Sequence, residues 1–310
     1  MMYSEEQRQE IMRKLNLLAK SKGISINKTG ELTGVSSSVI SSLKNGKYKG
    51  NADKYYEILN NYLSTVELAD DRASAGVTAD YVPTSISQNV YAIIKNCQLK
   101  GGLAIACGDA GVGKTKAVQK FVSDNPNLAI AITVNPCVKG PKSVLKVLAD
   151  RLGVSAKSID ELWFAIATKL RDKMVLIFDE SQHLPIKTIE SLRAFSDYFA
   201  DKGQTLGVVF VGNMETACNL AGNKRADFAQ IMNRTKQNKQ YYTRQITKKD
   251  IELLCPDIKD DERSVEFVLA VARSRQALRG ACNLYSNALD NENVTYEGLV
   301  AMAKEMEMSI

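Results

Sequence analysis

Histidine is nearly absent from this chain of 310 residues, which carries only His183. Its six cysteines, Cys97, Cys107, Cys137, Cys218, Cys255 and Cys282, form no CxxC pair and no cluster with that histidine. Zinc centres draw closely spaced ligands from these two residue types, so the sequence argues against a zinc site. No apolar run approaches the ~18 residues a membrane-spanning helix needs. Residues 1–10 are polar and charged, without the apolar core of a secretory leader, and the scattered cysteines read as reduced thiols of a cytoplasmic protein. Nor is one charge sign scarce: 41 Lys and Arg stand against 35 Asp and Glu, for a net +6. With 45% apolar and 25% charged residues the composition is that of a globular protein, which excludes wholesale disorder.

The charge that is present is unevenly placed. The net is +4 over residues 1–65, −1 over 66–100, +7 over 101–246 and −4 over 247–310. A basic front and middle favour polyanions. The hydrophobic pattern divides the chain at similar points. Residues 1–65 read as short helices: Ile11, Leu15 and Leu18 recur at helical spacing, a second helix runs through Ile26 to Leu32, and Val39, Ile40 and Leu43 mark a third that ends at Asn45-Gly46. Residues 66–85, rich in Ala, Asp, Thr and Ser, read as a linker. From 86 to 246 short apolar strands alternate with helices: Leu103–Cys107, Leu128–Val134, Met174–Phe178, Leu206–Val211 and Gln240–Thr243. That alternation builds a parallel sheet from βαβ units. Residues 247–310 are helical again.

The chemistry is concentrated at strand ends. Gly108, Asp109, Ala110, Gly111, Val112, Gly113, Lys114 and Thr115 satisfy GxxxxGK[ST] between a strand and a helix, the context that defines a phosphate-binding loop. The glycines admit backbone conformations a Cβ forbids, successive N–H groups face phosphate oxygens, Lys114 supplies a point charge, and Thr115 offers its hydroxyl to Mg²⁺. Some 60 residues on, Met174 to Glu180 is an apolar strand ending in two acids, the Walker B pattern. Asp179 is the candidate for holding Mg²⁺ and Glu180 for polarising the attacking water. Asn213, at the end of the strand Leu206–Val211, falls beside them as a γ-phosphate sensor.

These parts, with Arg234 ahead of the last strand and Arg279 opening a C-terminal helix, resemble the AAA+ ATPases over about residues 80–310. The resemblance implies a P-loop AAA+ core with a parallel sheet and a C-terminal helical lid. It makes Arg234, or alternatively Arg225, a finger reaching the neighbouring subunit's nucleotide, and Arg279 a second sensor. The stretch Ser25 to Leu43 looks like a Cro-type helix-turn-helix, with Gly30 at the small position, Gly34 in the turn, and Val35 and Ile40 buried; the core is thus preceded by an all-α domain. The full order, together with Gly-Asp-Ala-Gly-Val-Gly-Lys-Thr, Phe-Asp-Glu-Ser-Gln-His-Leu and Val-Ser-Ser-Ser-Val-Ile-Ser-Ser, resembles the MuB family, related to TnsC and IstB. This resemblance implies ATP and Mg²⁺ as cofactors and filaments on double-stranded DNA with little sequence preference. It also implies activation of a transposase in a bacterial or phage-infected cell, and hydrolysis that drives disassembly.

Binding without sequence preference rests on phosphate contacts. Lys139 and Lys142, in the loop after the second strand, and Lys187 and Arg193, beyond Walker B, are the candidates in the core. Ser37 and Ser38 are those in the recognition helix. That helix lacks an Arg, Asn or Gln before Asn45 for bidentate base contacts, which argues against a sequence-specific, ATP-gated transcription regulator. The helix-turn-helix ahead of the core argues against a helicase loader.

Overall fold

The computed structural model describes residues 3–21, 29–30, 33, 35–46, 48, 50–60, 63, 81–214, 216 and 234–308. The chain divides into two compact units, Met1–Asp80 and Tyr81–Ile310.

In the first unit, α1 (Glu5–Ser21), α2 (Ser37–Lys44) and a helical segment over 53–60 enclose a small core of Ile11, Leu15, Val35, Ile40, Leu43, Tyr56 and Leu59. Ser36 caps α2 by accepting the Val39 N–H at 3.4 Å, so the serine run begins as a helix N-terminus. A Cβ at Gly30 would lie 2.9 Å from the Val35 carbonyl, so only glycine fits that approach. Most of the helix expected over 26–32, Gly34, and residues 66–80 of the expected linker lie outside the described residues.

The second unit is a three-layer α/β domain. It opens with α3 (Ser85–Lys100), whose N-cap Thr84 accepts the Ser87 N–H. There follow β1 (Gly102–Gly108), α4 (Lys114–Asp124), β2 (Ala129–Thr133), α5 (Pro141–Leu152), α6 (Ile159–Lys169), β3 (Met174–Asp179), α7 (Ile186–Ala200), β4 (Leu206–Gly212) and β5 (Thr235–Tyr241). All pairings are parallel and the order is β2-β3-β4-β1-β5. Helices cover both faces, so β3 and β4 are buried at every residue and read in sequence as unbroken apolar runs. The strands nevertheless sort their side chains. Ala104, Ala106, Val175, Ile177, Val209 and Val211 face α3 and α4. Leu103, Ile105, Leu176, Phe178, Val208 and Phe210 face α5 to α7. The smaller residues on the first face let α3 lie close; a Cβ at Gly207 would meet the Cys97 carbonyl at 2.6 Å.

The last strand departs from expectation. It spans Thr235–Tyr241 rather than Gln240–Thr243. As an edge strand paired only to β1 it is largely exposed, so its polar sequence carries no apolar run to mark it.

Helices α8 (Lys248–Leu254), α9 (Glu262–Arg273), α10 (Ala277–Asp290) and α11 (Tyr296–Glu305) complete the unit. Buried Asp250 ties them to the core. Its Oδ1 accepts the Ser85 N–H at 2.6 Å, and its Oδ2 accepts the Ser85 hydroxyl at 2.7 Å and the Thr247 N–H and hydroxyl at 2.8 Å each. Burial raises the affinity of this carboxyl for a proton, but the bonds to Ser85 and Thr247 outweigh it and hold the group below the usual aspartate value.

Candidate nucleotide-binding site

Strand order places the site. β3, β4 and β1 are neighbours, with Phe178 opposite Phe210 and Cys107 opposite Gly212. The tips carrying Asp179, Asn213 and Gly108 therefore lie side by side at the carboxyl ends of the strands, where open parallel sheets bind ligands. The loop from Gly108 to Thr115 leaves β1 here and enters α4, whose first N–H groups have no partner within the helix.

The loop backbone demands its glycines. Gly108, Gly111 and Gly113 have φ of 159°, 76° and 99°. A Cβ at Gly108 would sit 2.1 Å from the Tyr241 carbonyl, and one at Gly111 would press on the β-carbons of Ala277 and Arg279 at 3.1 and 3.2 Å. Asp109 acts within the protein: its N–H donates to the Tyr241 carbonyl at 2.9 Å and its carboxylate accepts the Thr243 N–H at 2.7 Å. The loop is thereby anchored to the segment after β5. Ala110 is exposed and Val112 buried.

Lys114 is only 8% exposed. Its ammonium donates to the carbonyls of Gly108 at 2.9 Å and Asp109 at 2.7 Å. Burial lowers its proton affinity, countered by Asp179, Glu180 and Asp109. Asp179, 3% exposed, has its carboxyl pushed up, chiefly by burial and against the hydrogen bond from the Thr115 hydroxyl and that from the Glu180 N–H at 3.0 Å. A buried ammonium beside a buried carboxylate and a hydroxyl, under a glycine loop at a helix N-terminus, is a donor set that fits a nucleoside triphosphate with Mg²⁺. Thr115 and Asp179 are the residues that would hold the metal.

Glu180 follows with φ of 56°, a left-handed turn at a non-glycine residue. Its Oε2 accepts the Gln182 amide at 2.5 Å, while the Gln182 Oε1 accepts the Asn213 N–H at 3.2 Å. Arg279 lies across the loop, its N–H donating to the Gly111 carbonyl at 3.3 Å and its side chain exposed.

The remaining sequence candidates separate into groups. The buried Thr188 hydroxyl bonds the Lys139 carbonyl at 2.8 Å. This joins the loop of Lys139 and Lys142 to the start of α7, and exposed Lys139, Lys142 and Lys187 share this region. Arg193 is elsewhere: it is paired with Asp197, which also binds Arg234 at 3.1 Å. Both arginines line a hollow of about 220 Å³ with Lys100 and Lys236, by the amino ends of β1, β4 and β5, at the opposite end of the strands from the phosphate loop. In the first unit Ser37 is half-buried and Ser38 exposed, with the Ser38 hydroxyl 3.1 Å from that of Ser36. Arg225 lies outside the described residues. Sequence reasoning passed over Gln182, Asp197 and Asp250 as actors; Asp250 had a local signal, three residues after the capping Thr247, and so had Asp197, four residues after Arg193 on one helix, whereas Gln182 lies on a polar turn that marks nothing by itself.

Fold and site together define a P-loop AAA protein, and residues 98–217 match the AAA domain family. Two solved structures share the fold. Cdc6p from Pyrobaculum aerophilum is 17% identical, covers 75% of this chain and 71% of its own, and has a TM-score of 0.54. The Aeropyrum pernix ORC2 protein in its ADP form is 12% identical, with coverage of 72% and 68% and a TM-score of 0.52. Within that class the chain is similar to the MuB-type target DNA activators. It is 25% identical over 252 residues to the ATP-dependent target DNA activator B of Escherichia phage Mu, spanning 80% of this chain and 77% of that protein. It is 27% identical over 262 residues to the Mu-like prophage FluMu DNA transposition protein B of Haemophilus influenzae, spanning 82% and 87%. Among the described residues no helix is long and apolar enough to cross a membrane, and no three or more His, Cys, Asp or Glu side chains are grouped so as to hold a metal ion.

Proposed function

We propose that this protein is an ATPase that assembles on double-stranded DNA in its ATP-bound form, marks that DNA as a transposition target and activates a transposase. The observation that carries the reading is the meeting of Lys114, Thr115 and Asp179 at adjoining strand tips, in a chain similar over four-fifths of its length to the target DNA activators.

Lys114 and the loop N–H groups bind the phosphates. Thr115 and Asp179 would hold Mg²⁺, which would offset the charge on the phosphate oxygens. Glu180 orients the attacking water and accepts its proton. Asn213 and Arg279 touch the terminal phosphate from β4 and from the lid. Arg234, at the end of the strands remote from its own phosphate loop, serves the nucleotide of a neighbouring copy. Lys139, Lys142 and Lys187 contact DNA phosphates, with Ser37 and Ser38 as accessory contacts from the first unit. Asp197 withdraws Arg193 from the DNA set by pairing it in the Arg234 hollow.

Electron microscopy with ATP and unrelated duplex DNAs tests the proposal. Filaments are expected on every duplex and none without nucleotide. Glu180→Gln should bind ATP as tightly as the parent, hydrolyse it ~10²–10⁴-fold more slowly, and leave filaments that persist. Tight binding to a single operator, without assembly elsewhere, would overturn the reading.

A further inference from the structure

Gln182 lies on the short turn Ser181–His183 that follows β3 and Glu180. Its one amide is engaged on both sides. Nε2 donates to the Glu180 Oε2 at 2.5 Å and Oε1 accepts the Asn213 N–H at 3.2 Å. The orientation is set by chemistry: reversing the amide would turn its oxygen toward a carboxylate and its NH₂ toward an N–H. The turn is also fixed to β4, since the buried Ser181 hydroxyl donates to the Val211 carbonyl at 2.8 Å. β4 makes room for the bridge with Gly212, where a Cβ would fall 2.5 Å from the Gln182 Oε1 and 2.2 Å from the Thr216 Oγ1.

A carboxylate that orients water must be held to within about 0.5 Å of its working position. Glutamate has three side-chain torsions, and the left-handed backbone of Glu180 fixes none of them. The Gln182 amide supplies the restraint on one oxygen, leaving the other for water. Resting on the assignment of Glu180 as the base, we propose that Gln182 is a positioning residue for ATP hydrolysis: its amide orients the Glu180 carboxylate and links it to Asn213, so that the base and the tip of β4 move together. A shift of Asn213 on engaging a terminal phosphate is thereby passed to the base without a contact between the two side chains.

Single-turnover hydrolysis by the full chain on nonspecific duplex DNA, with nucleotide binding and thermal midpoint measured in parallel, tests this. Gln182→Leu removes both hydrogen bonds. Gln182→Glu keeps an acceptor for Asn213 but sets a carboxylate against Glu180. Each is expected to lower the rate about tenfold, the loss of one hydrogen bond to a charged group, with the dissociation constant for ATP within about twofold of the parent because the phosphate loop is untouched. In a Glu180→Gln background Gln182→Leu should have no further effect, the mark of a residue acting through another. A parent rate in Gln182→Leu would overturn the proposal, and so would an equal further drop in the Glu180→Gln background, which a merely structural role would give. Parent-rate hydrolysis by Glu180→Gln alone would instead refute the base assignment itself, and a failure of that kind is distinguishable from a failure of the bridge.

Discussion

Burial opposes the charged form of both Lys114 and Asp179. For Lys114, replacement by alanine removes a charged donor to phosphate. Loss of one or two such bonds, each worth about 1.5–3 kcal/mol, should weaken ATP binding by at least about tenfold, measured by titration calorimetry. Asp179 gives a prediction of opposite sign for stability. Its carboxyl is raised above the value it has in an unfolded chain. The stability it lends is thus complete below pH 3.8 and lost as pH rises through the folded value, so at neutral pH the ionised group is a cost. Asp179→Asn, which retains an acceptor for Thr115 and the Glu180 N–H, should raise the thermal midpoint by roughly 2–4 °C if about 1 kcal/mol is recovered. The same variant should lose Mg²⁺-dependent hydrolysis. A lower midpoint would show that the carboxylate stabilises the fold. Glu180, Gln182 and Gly212 make a third residue-scale point: two acids after an apolar strand are legible in sequence, whereas the amide that steers one of them is not, because its partner Asn213 is 31 residues away.

Among the elements, β5 and α3 show where sequence reading succeeds and fails. β1, β3 and β4 are buried on both faces, so their apolar runs mark them. β5 has a single neighbour and an exposed outer edge, and nothing in Thr-Lys-Gln-Asn-Lys-Gln-Tyr advertises a strand; pairing with β1 alone makes it one. The start of α3 depends likewise on a partner 165 residues away, through the two bonds from Ser85 to Asp250, a carboxylate that Thr247 holds with two more. Asp250→Asn would present an NH₂ to donors and should destabilise the second unit by about 2–4 kcal/mol at pH 7. Because this carboxyl is depressed, its contribution is full above pH 3.8 and lost as pH falls through the lower folded value. The gap between parent and variant in urea midpoint should therefore shrink on going from pH 7 to below pH 3. A gap that stays constant would deny the aspartate its ionic role.

At the scale of the whole molecule, the two ends of the sheet carry different halves of the proposed chemistry. The phosphate loop and Glu180 lie at the carboxyl ends of the strands; Arg234, Arg193 and Asp197 lie by the amino ends. An arginine so placed contributes to hydrolysis only across an assembly. Arg234→Ala should bind ATP as the parent does yet lose most of its hydrolysis on DNA, on the order of 10³-fold for a finger. Mixing Arg234→Ala with Lys114→Ala chains should restore part of it, since the second supplies an arginine to the intact nucleotide site of the first. No recovery in the mixture would place Arg234 outside the shared site.

The phosphate loop, the two acids of Walker B and the alternation of strands and helices were determined by the sequence alone, because each is set by neighbours within a few residues: glycine where φ is positive, apolar runs where a strand is buried, acids where it ends. So was the uneven charge that placed the basic excess in the core. Tertiary structure decided what depends on contacts distant in sequence. It set strand order, which brings Asp179 and Asn213 beside Gly108. It bridged Glu180 to β4 through Gln182. It joined the loop of Lys139 to Lys187 through Thr188, and it drew Arg193 away to Asp197. A side chain's type shows what it can bond, but only the packed fold sets which of many possible partners lies within three ångströms.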